Sequence, residues 1–300
     1  MKNHTSNIIH HTFNIVLLLC AIFTTACQQE PPRKPSQMVL EAWIDADRYP
    51  IVLIHRSYIL ANAPDSVKQL EQIVEEQLIP FGKVTVFDGE NEVVLTGRLD
   101  TSYLPPYTYT TVDMEGVVGK TYTVTATYED MTATATTTIP PVAYLDSISI
   151  AANDINTIDI IAYMSADSHE EAYYLLYMRE FGAKQFQLCP YGVFSNEDAT
   201  DGIIKMKVFN PLAQAEDFAS LNYYFSQTDS ATYQLKVARV GYKEYQYWKA
   251  YNEQIISRGV LFVPVYSNIP GNVEGGIGIF TGMGSSTYRF NLLNDTILRY

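Results

Sequence analysis

The strongest alternation of polar and apolar positions in the chain runs through Thr121-Tyr122-Thr123-Val124-Thr125-Ala126-Thr127-Tyr128 and continues beyond Glu129-Asp130 into Met131-Thr132-Ala133-Thr134-Ala135-Thr136. A period of two places successive side chains on opposite faces of a strand. These segments therefore predict an antiparallel hairpin with apolar residues inside and a threonine face in water. Met38–Ile44 and Ile51–Tyr58 form another strand pair around the Asp- and Pro-containing turn 45–50, and Lys83–Phe87 and Glu92–Leu95 flank an Asp88-Gly89 turn signal. Pro140-Pro141 then interrupts the pattern, since neither residue can donate to a ladder. Beyond it, Leu145–Ile150, Thr157–Met164, Tyr173–Arg179, Gln185–Leu188, Ile203–Phe209 and Ala231–Val240 again read as strands.

Two segments change to helical period. From Ser66 to Ile79, a Ser66/Gln69 capping box precedes an apolar face of Val67, Leu70, Ile73, Val74 and Leu78, and Pro80 and Gly82 stop it. Over Tyr242–Arg258, Tyr245, Trp248, Tyr251 and Ile255 recur on one face before Gly259. Core packing is the expected role of this aromatic stripe, with an interaction surface built on Trp248, Tyr245 and Tyr251 as its alternative. The glycine-rich run 267–282 has neither dinucleotide nor phosphate-loop spacing. Its glycines predict positive φ and close backbone approach where a strand meets a bulge.

The predicted fold class is mainly β with two domains. Residues 38–141 are expected to form an immunoglobulin-like or transthyretin-like sandwich with one inserted helix, and residues 142–300 an antiparallel β-domain with a helix before its last strands. A 47% hydrophobic content in 300 residues allows sizeable cores. Lys and Arg number 20 against 33 acidic residues, for a net charge of -13, and such a surface repels phosphate backbones. Nucleic acid is thereby disfavoured as a partner.

Chemistry is sparse. No His-x-x-x-His, Cys-x-x-Cys or Gly-x-Ser-x-Gly motif is present, so neither a metal site nor a serine nucleophile is assigned, and no cofactor is expected. Asp45 with Asp47, and the acidic turn Asn196–Gly202, lack the spacing of a calcium loop. Cys189 beside Pro190 reads as a small buried hydrophobe. Carboxylates are numerous enough for a glycosidase pair, but nothing selects one.

The N-terminus carries the clearest address. Lys2, an apolar stretch from Phe13 to Phe23 and Thr25-Ala26-Cys27 resemble a bacterial lipoprotein signal, residues 1–26, with Cys27 as lipid acceptor. Thr24 stands where that box usually carries Leu. Residues 27–37, polar and proline-rich, read as a tether. With Cys20 removed and Cys27 acylated, Cys189 would have no disulfide partner. Ser66, Ser147, Ser230 and Thr296 each follow Asp and precede an apolar or small residue, which resembles an O-glycosylation acceptor of Bacteroidota. Average residue usage gives roughly one such match by chance.

Val39–Ile44, Gly119–Val124, the junction from Pro140-Pro141 to Leu145-Asp146-Ser147, Tyr245–Trp248, Asn268-Ile269 and Gly275–Phe280 together resemble the Bacteroidota lipoprotein family numbered 4249 among domains of unknown function. The resemblance implies an outer-membrane lipoprotein, often encoded beside TonB-dependent receptors; with no basic helix in the chain, the lipid alone is expected to hold it to the membrane. It supplies no catalytic residue. The leading expectation is thus a lipid-anchored accessory or binding protein, not an enzyme. A carboxylate-dependent surface hydrolase and a structural component of the cell surface are the alternatives.

Overall fold

The computed structural model describes residues 36–57, 72, 75–153, 156–166, 170–212, 223–257, 269–292 and 297–299. The lipid-acceptor segment with Cys27 lies outside them, as does most of the predicted helix from Ser66 to Ile79, of which Gln72, Glu75 and Glu76 are described and helical. In the first half the strands are β1 (Met38–Asp45), β2 (Ile51–Arg56), β3 (Lys83–Phe87), β4 (Glu92–Val94), β5 (Thr96–Leu99), β6 (Tyr107–Thr110), β7 (Thr121–Tyr128) and β8 (Met131–Thr138). The second half holds β9 (Ser147–Ala152), β10 (Thr157–Ser165), β11 (Tyr173–Glu180), β12 (Gln187–Ser195), β13 (Ile203–Val208), β14 (Phe225–Ser226) and β15 (Thr232–Val240). Helix α1 (Tyr242–Ser257) follows, then β16 (Val273–Glu274), β17 (Ile277–Asn291) and β18 (Ile297–Arg299). The fold is mainly β, as the alternation predicts.

One large sheet, in the order β12-β11-β15-β17-β1-β2-β6-β5 with β18 beside β17, backs two smaller ones. The sheet β16-β8-β7-β3-β4 covers its first-half strands. Strand β1 shows why: Met38, Leu40, Ala42 and Ile44 are buried at every second position and meet Val84, Val86, Tyr122, Val124, Ala126, Ala133 and Ala135. The opposite faces of β7 and β8 pair threonine with threonine, with hydroxyl contacts of 2.8 Å for Thr121 and Thr138 and 3.0 Å for Thr123 and Thr136. The second small sheet, β9-β10-β13 with β14, covers the second-half strands around Ile160, Met164, Leu176, Met178, Met206, Leu235, Val237 and Phe290. Pro140-Pro141 thus separates the two larger buried apolar clusters, with Phe280 the one buried residue of the first that comes from the far side of the junction among the described residues.

Backbone pairing is not divided there. Strand β17 runs parallel to β1 from Val39↔Ile277 to Asp45↔Met283 and then antiparallel to β15 from Arg239↔Gly284 to Thr232↔Asn291. Two glycines make this possible. Gly278 has φ +125°, and a Cβ on it would meet the Leu40 carbonyl oxygen at 2.0 Å; one on Gly284 would meet the Pro140 oxygen at 2.3 Å. The glycine run predicted to border a strand is therefore the start of this 15-residue strand.

Candidate functional site

On the face of the large sheet turned away from the two smaller sheets lies α1. Its aromatic stripe meets β11, β15 and β17: Leu175, Tyr177, Ala238, Val240 and Met283 are buried there, with Trp43 of β1, Tyr173, Tyr245 and Trp248 packed around them. Trp248 Nε1 donates to Thr281 Oγ1 at 3.0 Å, and its ring meets Tyr177 edge-on at 6.1 Å and Tyr251 edge-on at 5.4 Å. Tyr245 lies 4.7 Å from Tyr173. An indole buried against a sheet needs a partner for its N–H, and Thr281 supplies it. Tyr245 and Trp248 thus pack the helix on the sheet, Tyr251 lies against Trp248, and the most buried ring of the helix is Tyr247, which the predicted stripe leaves out.

Polar groups fix the two ends of α1. Near its start, buried Glu244 accepts from Thr137 Oγ1 at 2.8 Å and from Asn272 Nδ2 at 3.2 Å, and Thr137 Oγ1 in turn accepts from the Gly282 N–H at 2.8 Å. Toward the other end, buried Asn252 Oδ1 accepts the Tyr191 N–H and its Nδ2 donates to the Cys189 carbonyl, both at 3.0 Å. These are the backbone groups that the bulge at Tyr191, φ +56°, withdraws from the β11–β12 ladder.

Beside the helix stands a buried ion pair with no signal in the sequence. Lys236 Nζ lies 3.2 Å from Asp45 Oδ2, over the rings of Tyr177 at 4.8 Å and Phe186 at 5.1 Å, while Ser285 donates to Asp45 Oδ1 at 3.1 Å. The side chains of Lys236 and Asp45 are 8% and 14% exposed, so the charges are largely withdrawn from water. The Tyr177 hydroxyl has no hydrogen-bond partner among the described residues, and burial pushes its pKa well up. On β1, burial likewise raises Glu41, flanked by Leu53 and Ile279.

The other candidate groups are dispersed. Cys189 is fully buried and its thiol is pushed up by desolvation, away from nucleophilic character. His55, lowered by burial, contacts the Arg56 carbonyl through Nδ1, and His169 lies outside the described residues. Asp45 is engaged by Lys236. In the acidic turn, Asp198 accepts from the Ser195 N–H at 2.7 Å and closes a short 3-10 turn. Among the described residues no three His, Cys, Asp or Glu side chains gather as a metal site. Ser147, at the start of β9, and Ser230, just before β15, are exposed, whereas Ser66 and Thr296 lie outside the described residues. Two shallow depressions, of about 240 Å³ between Leu145, Ser147 and Tyr288 and about 100 Å³ between Tyr247 and Gly278, are too small and open to enclose a sizeable ligand.

A feature missed by sequence reasoning is a cluster of apolar loop tips. Ala46 pairs with Gly116, and the Gly116 N–H donates to the Arg48 carbonyl at 2.9 Å, which joins the β1–β2 turn to the loop before β7. These two loops carry Tyr49, Val112, Val117 and Val118, exposed by 42, 73, 54 and 43%. Its only sequence signal is Val117-Val118 between Gly116 and Gly119, where a turn has no need of valine.

Comparison with known proteins adds little beyond family. No curated protein matches the chain. Among solved structures, a cytokine receptor complex is 7% identical over 67% of this chain and 82% of its own, with a TM-score of 0.23. A segment of two fibronectin type-III domains from chicken tenascin is 11% identical over 69% and 93%, with a TM-score of 0.20. The FN1–FN3 domains of chicken CNTN1 are 11% identical over 67% and 58%, with a TM-score of 0.19. A family profile, by contrast, matches residues 24–289, which takes in both cores, α1 and nearly all of β17. The chain therefore belongs to the family described as a domain of unknown function, DUF4249.

Proposed function

We propose that this chain is a lipid-anchored accessory protein of the outer membrane that binds a partner, a TonB-dependent transporter, through the loop tips around Tyr49 and Val117. The observation that carries the reading is the placement of those tips. The tether from Cys27 enters the fold at Gln37, ahead of β1, and the tips stand at the other end of that eight-residue strand. At about 3.3 Å per residue, β1 holds them roughly 26 Å from the entry point. The tips thus offer exposed apolar side chains to a partner at the end of β1 remote from Gln37. Exposed apolar groups ringed by polar ones, here Asp47, Arg48, Asp113 and Glu115, are the usual composition of a partner contact. A binding role fits better than a catalytic one because the buried charges, Lys236 and Asp45, neutralise each other within the fold instead of facing a cleft.

Two measurements test this. The Cys27→Ala variant should leave the membrane fraction and fail to incorporate labelled palmitate; a variant that still fractionates with membranes overturns the anchoring. Purification of the native complex in mild detergent should recover a TonB-dependent transporter, and Val117→Asp with Tyr49→Ser should lose it without loss of folding. Recovery of no outer-membrane partner, or recovery unaffected by the tip variant, overturns the partner assignment.

A further inference from the structure

Sheet edges in this protein are blunted in several ways, and β9 is the exception among the described edges. Strand β12 carries Pro190 and a bulge whose free groups bond to Asn252 of α1. Strand β5 has four residues with Gly97 and Arg98, and β4 three with Glu92. Strand β13 presents Lys205 and Lys207, and β14 and β16 have two residues each. Strand β9 is Ser-Ile-Ser-Ile-Ala-Ala: six residues, no charge, no proline, no register shift, hydrogen-bonded to β10 alone. A long neutral edge is a template for another strand, and proteins that do not use such an edge protect it.

The register identifies which groups are offered. The Asn153 N–H bonds to the Thr157 carbonyl at 2.9 Å, and Ala151, Ser149 and Ser147 lie opposite Asp159, Ile161 and Tyr163. In an antiparallel ladder, bonded pairs alternate with non-bonded ones, so the odd-numbered residues bond inward to β10. The N–H and C=O groups of Ile148, Ile150 and Ala152 therefore point out from the edge.

We infer that the β9 edge pairs antiparallel with the β9 edge of a second copy of this chain, about a two-fold axis through Ser149. That register sets Ile148 opposite Ile150, so the outward backbone groups of both residues bond across the axis. Apolar side chains meet on the inner face, where Ile148 is buried, and the exposed Ser149 of each copy faces the other on the outer face. A register centred on Ile150 would instead set Ile148 opposite Ala152 and give up one of the two Ile148–Ile150 pairs for a single Ile150–Ile150 contact. The neutral edge matters here because the chain as a whole, at -13, repels its own kind; contact is favoured where charge is absent.

Sedimentation velocity of the exported protein in mild detergent, over rising concentration, should show a monomer–dimer equilibrium, with slowed amide exchange at Ile148 and Ile150 in the dimer. Ser149→Lys and Ser149→Glu each place like charges across the axis and should raise the dimer dissociation constant by about fivefold or more. An equimolar mixture of the two should regain it as a heterodimer, which shows that each variant is folded. A wild-type chain that stays monomeric with fast exchange at these amides overturns the inference and leaves the edge to a strand from a different protein. Dimerisation unchanged in both charge variants, or no recovery on mixing, overturns it equally.

Discussion

Replacing Lys236 by Met probes how the two halves are joined. Lys236 lies on β15 and Asp45 at the end of β1, and their ion pair spans β17 between them. At the observed 3.2 Å, two unit charges attract by about 5 kcal/mol at an effective dielectric of about 20. Withdrawal from water costs several kcal/mol per ion, so the intact pair contributes little net stability. Removing one member is different, because the other is left uncompensated. Lys236→Met preserves the stem over Tyr177 and Phe186 but leaves Asp45 with the Ser285 hydroxyl alone among the described residues. The expected loss is about 3–5 kcal/mol. For a protein of this size that lowers the unfolding midpoint by roughly 6–20 °C.

A double-mutant cycle separates the pair from its surroundings. Asp45→Asn should cost a similar amount by isolating the Lys236 charge, whereas the double variant removes both charges and should return to within about 1–2 kcal/mol of the parent. Urea unfolding of the four proteins gives the coupling energy directly. Additive single losses, or a Lys236→Met variant within about 0.5 kcal/mol of the parent, would refute the premise that these charges are buried and mutually dependent.

Three further outcomes follow from other sites. Burial holds the Glu41 carboxyl above its ordinary value, so the folded state binds a proton more tightly than the unfolded one and stability falls as pH rises past the unfolded carboxyl pKa. Glu41→Gln should accordingly be more stable than the parent at pH 7 and match it near pH 4 in thermal unfolding. Gly278→Ala, whose Cβ would meet backbone at 2.0 Å at φ +125°, should cost about 3 kcal/mol or more, whereas Gly119→Ala, with φ +81° and open space, should cost about 1 kcal/mol in the same urea assay. If Ser147 and Ser230 carry glycan, digestion of the protein from its native host yields peptides with these two serines that are heavier than their sequence by hexose masses, and Ser147→Ala with Ser230→Ala removes the excess.

Alternation made the hairpins readable: β1 with β2, β3 with β4 and β7 with β8 lie where period two and turn residues place them, because each is local and half-buried. Helix α1 was legible for the same reason, its stripe repeating on one face. Strands β5 and β6 escaped notice because Thr96-Gly97-Arg98-Leu99 and Tyr107–Thr110 are too short to establish a period. The parallel pairing of β17 with β1 was hidden for a different reason. Glycines have no side chain to alternate, and what Gly278 answers to is the carbonyl of Leu40, far away in sequence. Lys236 and Asp45 are each unremarkable surface types whose burial exists only once β15, β17 and β1 lie side by side. The loop tips have a faint signal at Val117-Val118, and which loops share an end depends on tertiary pairing.

The parallel ladder between β1 and β17 also sets an order of events for folding. A chain synthesised from its N-terminus delivers Met38 well before Ile277, and until then β1 has only β2 beside it and the first core lacks Phe280. Its other edge stays unpaired until β17 is made. A nascent first half is thus a client for whatever holds unfinished chains soluble, and a frameshift or truncation ahead of residue 277 would leave an aggregation-prone sheet edge instead of a smaller working domain.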